Sequence, residues 1–324
     1  MVQAIQDVLA GIPTAQAASR ARLNPHDLAT AVEVFQNAGH QALEAQAEHS
    51  WRQMYLEFAD WANAEEIATV HLEPVLNTSA HQGCVAAWWF IRKHPCWRLR
   101  LRLGTHPANT EIRLRTALDD LVGAGHLRRW WPGIYEPETP AFGGGLAMDI
   151  AHDLFTADSS FILEMSRREE FTLGRSELSV LLCTTFMRAA ALEWYELGDV
   201  WDRVSQERPL PSDVASDQLY ALTQDMRTLL LADSAPDGSL WGVGGPAAFA
   251  STWAGSFRRA GRALGTAARA GHLERGLRYV LAYHVIFHWN RLGLPLRAQS
   301  ALAWAARSAI LDVPAPNPSD SPSS

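Results

Sequence analysis

The sequence predicts an α+β fold in which a split-βαβ (ferredoxin-like) sheet region is followed by a mostly helical half. Two observations support this prediction. Between residues 51 and 145, extended and helical patterns follow one another as strand–helix–strand–strand–helix–strand, which is the order of a split βαβ unit. From residue 146 to about residue 312, apolar residues recur at helical spacing with few interruptions. Residues 1–50 are also helical in pattern, and we expect them to form an N-terminal helical cap.

The strands are recognised by alternation and the helices by their ends. The segment "WRLRLRL" alternates apolar residues with Arg98, Arg100 and Arg102, which predicts a strand with one apolar and one cationic face. The segments "WRQMYLEF", "CVAAWWFIR" and "HLRRWW" also suit strands, and "GIYEPE" is expected to continue in extended form. The two crossing helices are "WANAEEIATVHLEPVL" and "NTEIRLRTALDDLVGAG", and the second opens at Asn109 and closes at glycine.

After the glycine run "FGGG", the chain is expected to form helices and then a tail. The helical segments are 146–169, 176–206, 213–231, 246–270, 272–291 and 296–310. Residues 313–324 ("VPAPNPSDSPSS") are rich in Pro and Ser, which predicts a disordered tail. We therefore expect one functional domain over residues 51–312, with its sheet region at about 51–145 and its helical region at about 146–312.

Charge argues against nucleic acid as a partner. The formal net charge is −7, whereas general nucleic-acid binders are basic. The helix break around Asn24 and Pro25 resembles a helix-turn-helix, and a DNA-binding function has to be considered. However, no Lys or Arg lies between Arg22 and Arg52, and a recognition helix needs such residues for phosphate and base contacts. A helical cap that packs or docks peptide fits these residues better.

Composition also indicates the compartment and the cofactors. The N-terminus lacks the basic segment and long apolar run of a signal peptide, and no uncharged apolar run is long enough to span a membrane. The three cysteines have no paired spacing, so we expect a soluble, cytoplasmic protein. No Gly-rich phosphate loop is present, and the histidine pair in "HVIFH" lacks a third ligand nearby in sequence. We expect no cofactor and no metal, and the sequence gives no oligomeric state.

Three polar clusters are candidates for a site, and each has a structural alternative. Arg92 with the arginines of "WRLRLRL" would bind carboxylates or amide oxygens, or would form surface salt bridges. Tyr135, Glu136 and Glu138 precede a glycine run that could approach a ligand, or they form a strand end and turn. The segment "YHVIFHWNR" concentrates polar groups on one helix, as a site or as a buried network. Thirteen tryptophans suggest an aromatic groove, or simply packing.

Five motifs, in order, resemble the thiopeptide-type biosynthesis domain, which also forms the C-terminal elimination part of class I lanthipeptide dehydratases. The resemblance runs from about Trp51 to about Gly293 and is greatest to the pyridine synthases of thiopeptide pathways. The motifs are "WWFIRKHPCWRLRLRL", "YEPETPAFGG", "HDLFTADSS", "LLCTTFMRAAALEWYELGDVWDRVSQERP" and "HVIFHWNRLG".

The resemblance implies one of two reactions on a precursor peptide. One removes glutamate from glutamylated Ser or Thr. The other joins two dehydroalanines by a formal [4+2] aza-cycloaddition, then loses water and the leader peptide to leave a pyridine. Eliminases typically carry "RYGG" where this chain has "AFGG", so Ala141 replaces an arginine of the elimination site. A lost charge-assisted hydrogen bond costs roughly 1.5–3 kcal/mol, which favours the cycloaddition.

The resemblance also implies the residues and the partner. The expected acid–base residues are Tyr135, Glu138, His284 and His288. The expected substrate-binding residues are Arg92, Arg98, Arg100, Trp89, Trp194, Trp201, Asn290 and Arg291. The expected partner is an azole-containing, dehydrated precursor peptide with leader and core, and no cofactor is needed. The alternatives are a glutamate eliminase and a non-catalytic subunit that docks the precursor peptide.

Overall fold

A computed structural model describes residues 1–48, 51–104, 107–167, 173–211, 213 and 216–312. The predicted disordered tail at 313–324 lies outside the described residues. The chain divides into two compact units, Met1–Trp51 and Arg52–Ser324. Each unit has its own group of buried apolar side chains.

The N-terminal unit consists of three helices, α1 (Val2–Leu9), α2 (Thr14–Ala21) and α3 (Pro25–Glu48). The third helix begins at Pro25, directly after the break that the sequence shows around Asn24 and Pro25. Proline is favoured at the first helical position because its missing N–H would have no partner there. The Asn24 side-chain oxygen accepts the backbone N–H of His26 at 2.8 Å and so caps this helix start.

The second unit begins with a four-stranded sheet in the order β2-β3-β1-β4. The strands are β1 (Trp51–Phe58), β2 (Val85–Lys93), β3 (Cys96–Leu103) and β4 (Leu127–Gly133). β1 pairs antiparallel with β4, and β2 pairs antiparallel with β3. The first crossing connection is α4 (Ala64–Ile67), a π-helical turn (Ala68–Leu72) and α5 (Glu73–His81), and the second is α6 (Pro107–Gly123). The split-βαβ prediction is confirmed.

The fourth strand is shorter than the sequence suggested. "GIYEPE" does not continue it, because β4 ends at Gly133 and residues 134–138 have no regular structure. β1, the strand that pairs with β4, offers few further residues at that point. Gly133 lies opposite Gln53, and β1 starts only two residues before Gln53. Gly133 is also required by packing: a Cβ there would lie 2.4 Å from Cε2 of Tyr55.

The rest of the chain is helical, as predicted. Its helices are α7 (Thr139–Phe142), α8 (Gly145–Met165), α9 (Arg175–Ala189), α10 (Trp194–Glu207), α11 (Ser216–Leu231), α12 (Ser251–Arg269), α13 (Leu277–Leu292) and α14 (Leu296–Leu311), with a 3₁₀ turn at Ala248–Ala250. The segment expected as one helix over 176–206 is two, because Ala191 takes a φ of +67° and breaks the ladder. Glu193 and Glu196 then form a capping box that starts α10.

Helices α8 and α13 cover the edge strand β2. The Ser159 hydroxyl of α8 accepts the backbone N–H of Phe90 at 3.1 Å, and Arg92 Nε donates to the Arg291 carbonyl of α13 at 2.8 Å. An exposed edge would offer unpaired backbone groups to other chains, and the contact with Ser159 uses one of them, the N–H of Phe90, internally. The two contacts also bring the polar side chains of two largely apolar helices next to the β2–β3 hairpin. Among the described residues, no helix is long and apolar enough to cross a membrane.

A partly buried carboxylate ties the first crossing connection to β2 and α9. Glu65 of α4 makes ion pairs with Arg92 and Arg175. Burial alone would raise the pKa of Glu65, but the hydrogen bond and charge of Arg175 and the charge of Arg92 outweigh burial and lower the pKa to about 2.

We expect Glu65→Gln to lower the free energy of unfolding by about 3 kcal/mol at pH 7. The pKa of Glu65 is lower in the folded state than in the unfolded state, so its contribution is complete above about pH 4.5. It disappears as the pH falls from 4.5 towards 2. Urea unfolding of wild type and variant along this pH series measures the difference. The exposed neighbour Glu66, changed to Gln, is the control, and a Glu65→Gln deficit that persists on acidification would contradict the assignment.

Candidate functional site

The cationic face of β3 carries a buried arginine. Arg100 is 6% exposed, its Nε donates to Oε1 of Gln53 at 2.9 Å, and its guanidinium lies 4.2 Å from the Trp89 ring centroid and 4.9 Å from that of Tyr135. Burial is the main cause that lowers its pKa, to about 10, so the group stays charged at neutral pH. The strand therefore presents a fixed, largely desolvated cation beside a tyrosine.

The tyrosine is paired with a histidine that the sequence did not single out. The Tyr135 hydroxyl lies 2.7 Å from Nε2 of His152, which projects from α8. Burial, and then the charges of Arg102 and Arg100, lower the pKa of His152 to about 4. The imidazole is thus neutral at pH 7 and can accept the hydroxyl proton. The two side chains form a proton-transfer pair adjacent to Arg100.

Arg100 also lines a cavity of about 410 Å³ bounded by β2, β3, the end of α10 and α13. Its charged lining includes Lys93, Arg98, Arg208 and the carboxylates of Glu138 and Glu207. The apolar part is formed by Ile91, Tyr283, Ile286 and Phe287, and Asn290 adds an amide. The cavity combines a cationic wall with a flat apolar wall, which suits a peptide segment that carries polar and planar groups.

Arg92 does not belong to the arginine face as expected. It pairs with Trp97 across the hairpin, so it lies on the opposite face of the sheet from Arg98 and Arg100. Its guanidinium lies 4.7 Å from the Trp97 ring and forms the ion pair with Glu65. Arg92 reaches the rim of the cavity, but its charge is already compensated.

His288 and Arg291 belong to a buried ionic network. Asp158 of α8 accepts hydrogen bonds from His288 Nδ1 at 3.0 Å, Arg291 Nη1 at 2.8 Å and Trp253 Nε1 at 2.8 Å. Burial would raise the pKa of Asp158, but the His288 and Arg291 charges keep it below its usual range. Arg291 also lies 5.7 Å from the Trp89 ring, on which Arg100 packs. The network therefore contacts the site through the Trp89 ring. Neither His288 nor Arg291 lines the cavity.

His284 is enclosed by aromatic rings. Its ring centroid lies 4.9 Å from Phe142, 5.7 Å from Phe155 and 5.1 Å from Phe186. Burial and the charge of Arg291 lower its pKa to about 3, and neither ring nitrogen has a hydrogen-bond partner among the described residues. The structure does not bring His284 to the cavity.

The expected tryptophans separate into two groups. Trp89 lies in the site, between the Arg100 guanidinium, Tyr135 and Phe155. Trp201 is completely buried and stacks on Trp289 with ring centroids 5.8 Å apart, while Trp194 packs against the core at the start of α10. These two rings do not line the cavity.

The glycine run approaches protein rather than open space. A Cβ on Gly143 would lie 2.9 Å from Val280, and one on Gly144 would lie 2.6 Å from Glu274. Both glycines have positive φ, and the Gly143 carbonyl accepts the backbone N–H of Glu274 at 3.0 Å. The run fixes the start of α8 against the segment before α13, and so it positions His152 and Asp158.

Sequence reasoning missed Gln53, His152, Asp158 and Arg208. His152 and Asp158 lie in the motif "HDLFTADSS". Within the part of the chain that the structure describes, no three His, Cys, Asp or Glu side chains are grouped to hold a metal ion.

Fold and site define an α+β protein with an arginine-lined cavity beside a tyrosine–histidine pair. The chain belongs to the family described as lantibiotic biosynthesis dehydratase C-term, whose model matches residues 51–310. A comparison with curated proteins finds none that matches.

Three solved structures share the fold. The tRNA-dependent lantibiotic dehydratase MibB from Microbispora sp. 107891 is 21% identical with a TM-score of 0.60, over 81% of this chain and 28% of MibB. TsrL is 16% identical with a TM-score of 0.55, over 80% of this chain and 93% of TsrL. TbtD, a pyridine synthase from thiomuracin biosynthesis, is 15% identical with a TM-score of 0.55, over 82% and 98% of the two chains. The chain thus spans little more than a quarter of MibB.

We expect Asp158→Asn to destabilise the protein by about 3–5 kcal/mol, because the Arg291 charge is then buried without its counter-ion. Urea unfolding monitored by tryptophan fluorescence measures this change. Asp153→Asn is the matched control, since Asp153 is an exposed carboxylate on the same helix. Equal stability of the two variants would contradict the importance of the buried ion pair.

Proposed function

We propose that the chain is a biosynthetic enzyme that forms the central pyridine of a thiopeptide. It acts on an azole-containing precursor peptide and joins two dehydroalanines by a formal [4+2] aza-cycloaddition, with loss of water and of the leader peptide. The observation that carries the proposal is the neutral Tyr135–His152 pair beside the fixed Arg100 cation. The fold shared with the pyridine synthase TbtD supports it. As the sequence predicts, the reaction would take place in the cytoplasm.

The first chemical requirement is to turn an amide into the azadiene. The amide N–H proton passes to the Tyr135 oxygen while the hydroxyl proton moves to Nε2 of His152. The negative charge that develops on the amide oxygen is stabilised by a guanidinium N–H of Arg100 or Arg98. Because these donors are held in place before the reaction, they cost little reorganisation at the barrier.

The second requirement is to return protons to the groups that leave. The carbinolate oxygen formed in the cycloaddition takes up the proton that was removed from the amide N–H. In each of the two eliminations that follow, one hydrogen is removed from a ring CH₂ group as a proton and one proton is delivered to the leaving group, so that the hydroxyl leaves as water and the leader leaves as an amide. A protonated His152 is a strong acid, since its pKa is only about 4, so it returns its proton through Tyr135. Glu138, at the rim of the cavity, is a further acid–base candidate. Loss of both groups gives the aromatic ring.

Binding supplies the rest of the barrier reduction. The two dehydroalanines are far apart in the peptide, so they must be held face to face. Such positioning can contribute several kcal/mol, up to about 7–11 kcal/mol in favourable cases. The flat wall of Tyr283 and Phe287 is the surface we assign to this task.

Glutamate elimination is a second candidate, and the cationic lining of the cavity favours it. Arg98, Arg100 and Arg208 could bind the carboxylate of a glutamyl ester even though Ala141 provides no guanidinium. Residue 141 contributes its backbone carbonyl to Arg275 at 3.4 Å instead. We place the cycloaddition first because the Tyr135–His152 pair can both accept the amide proton and return a proton to a leaving group.

The purified protein, incubated with a dehydrated, azole-containing precursor, should release an intact leader amide and a core that is lighter by the leader and one water. Mass spectrometry detects both products. We expect Tyr135→Phe to lower the rate by about 100-fold or more, because a proton relay is lost. Tyr195→Phe is the control, because this tyrosine is exposed on α10.

The competing functions give different products in the same assay. Loss of glutamate from a glutamylated peptide, with no reaction of the dehydrated one, would identify an eliminase. A protein that binds the leader and changes neither peptide would be a docking subunit. An equal rate for Tyr135→Phe and wild type would remove the tyrosine from the mechanism.

A further inference from the structure

The segment that carries Tyr135 is joined to β1 by a side chain, beyond the point where backbone pairing stops. The ladder between β1 and β4 ends where Gly133 lies opposite Gln53, and residues 134–138 have no regular structure. We propose that Gln53 is a positioning residue that fixes the place of Arg100 relative to Tyr135 for the reaction. The proposal rests on the proposed function in taking Arg100 and Tyr135 as groups that act on the substrate.

The Gln53 amide makes one hydrogen bond with each of its two ends. Its Oε1 accepts Arg100 Nε at 2.9 Å, and its Nε2 donates to the Ile134 carbonyl at 3.2 Å. An arginine can only donate and a carbonyl can only accept, so these two partners determine the orientation of the amide. Because the amide is planar, the two bonds fix the Arg100 guanidinium relative to the peptide bond that precedes Tyr135.

Packing holds the Gln53 side chain in this place. It is 4% exposed, and a Cβ on Gly133 would lie only 3.2 Å from its Nε2, so the glycine leaves the space that the amide occupies. Ile134, in contrast, is 84% exposed, so apolar packing of its side chain does not fix this part of the chain. The hydrogen bond from Gln53 therefore supplies a restraint that the Ile134 side chain does not provide.

A neutral acceptor suits the position beside Arg100. The guanidinium is buried, and its Nη1 has no hydrogen-bond partner among the described residues. A buried donor without a partner costs free energy unless a substrate or water supplies an acceptor. Gln53 uses Nε and leaves Nη1 for the oxygen on which negative charge develops. A carboxylate at residue 53 would hold the same Nε, but it would also compensate the positive charge that the reaction uses.

The two groups that Gln53 connects act on one substrate amide in the proposed reaction. The Tyr135 ring centroid lies 4.9 Å from the Arg100 guanidinium, and the Tyr135 hydroxyl lies 2.7 Å from Nε2 of His152. Tyr135 takes the amide proton while Arg100 stabilises the amide oxygen, so their relative position decides whether both can act together. A misplacement of about 1 Å at such a site can lower a rate about 100-fold.

Gln53→Met removes both hydrogen bonds and keeps a side chain of similar length. We expect kcat for the dehydrated, azole-containing precursor to fall about 10- to 100-fold, because the reacting groups are no longer held in place. KM should change by less than about threefold, because the groups that bind the peptide remain. Gln224→Met is the matched control, since it changes an exposed glutamine of α11, and it should leave both constants unchanged.

An NMR measurement tests the positioning role without relying on the reaction. At neutral pH, the ring ¹⁵N signals of His152 report whether its Nε2 still accepts the Tyr135 hydroxyl. These signals are assigned by their loss in His152→Gln. We expect them to shift in Gln53→Met and to stay in place in Gln224→Met, although both variants are folded by circular dichroism.

Gln53→Glu separates the two hydrogen bonds and keeps the test valid if Gln53→Met does not fold. Glutamate has the shape of glutamine and still accepts Arg100 Nε, but it cannot donate to the Ile134 carbonyl. We expect kcat to fall about tenfold or more, because the Tyr135 segment is released and the Arg100 charge is compensated. The His152 signals should shift as well. Wild-type kcat and unshifted signals in folded Gln53→Glu would overturn the proposal.

The outcomes separate this proposal from the proposed function. Shifted His152 signals in Gln53→Met, with a lower kcat for the dehydrated precursor, support both. Shifted signals in a protein that instead removes glutamate from a glutamylated peptide, at a lower rate in Gln53→Met, support the positioning role and contradict the cycloaddition. Unshifted signals in folded Gln53→Met, or shifted signals with an unchanged kcat, would overturn the positioning role.

Discussion

The candidate site depends on two guanidinium groups that are buried against one indole ring. Arg100 of β3 and Arg291 of α13 lie 4.2 and 5.7 Å from the Trp89 ring centroid. A buried charge is tolerated only when it is paired or hydrogen-bonded, so each arginine brings partners with it. Arg291 requires Asp158 of α8, and Arg100 uses Gln53 of β1 and the ring of Tyr135. The hydrogen bonds and ion pairs that these two cations require therefore hold the sheet, α8 and α13 together.

This arrangement also explains the neutral histidine. His152 lies on the same helix as Asp158, and it is desolvated by the packing that encloses the arginines. Nearby positive charge further disfavours its protonated form. The neutral imidazole can accept a hydrogen bond from the Tyr135 hydroxyl, and once protonated it returns the proton readily. The burial of positive charge beside Trp89 thus both joins the elements of the fold and keeps His152 neutral for the proposed chemistry.

The sequence predicted the fold better than it predicted the site. Alternation in "WRLRLRL" and the order of strands and helices were sufficient for the split-βαβ sheet. The face of Arg92 could have been predicted, because the short connection after Lys93 places Arg92 opposite Trp97, on the apolar side. The positions of His284 and His288 could not, since α13 is buried on most sides and its periodicity marks no single facing side. Arg208 and His152 lie near β3 only because of tertiary packing, and local sequence patterns do not predict such proximity.

The central claim is that His152 is held neutral beside Tyr135, and an NMR titration of its imidazole tests this most directly. The ring signals of ¹⁵N-histidine-labelled protein can be assigned by their loss in His152→Gln and followed from neutral to acidic pH. We expect His152 to remain neutral until the pH approaches about 4. A midpoint near the ordinary value of 6.5 would mean that the histidine is solvated and that the tyrosine–histidine pair lacks the environment described above.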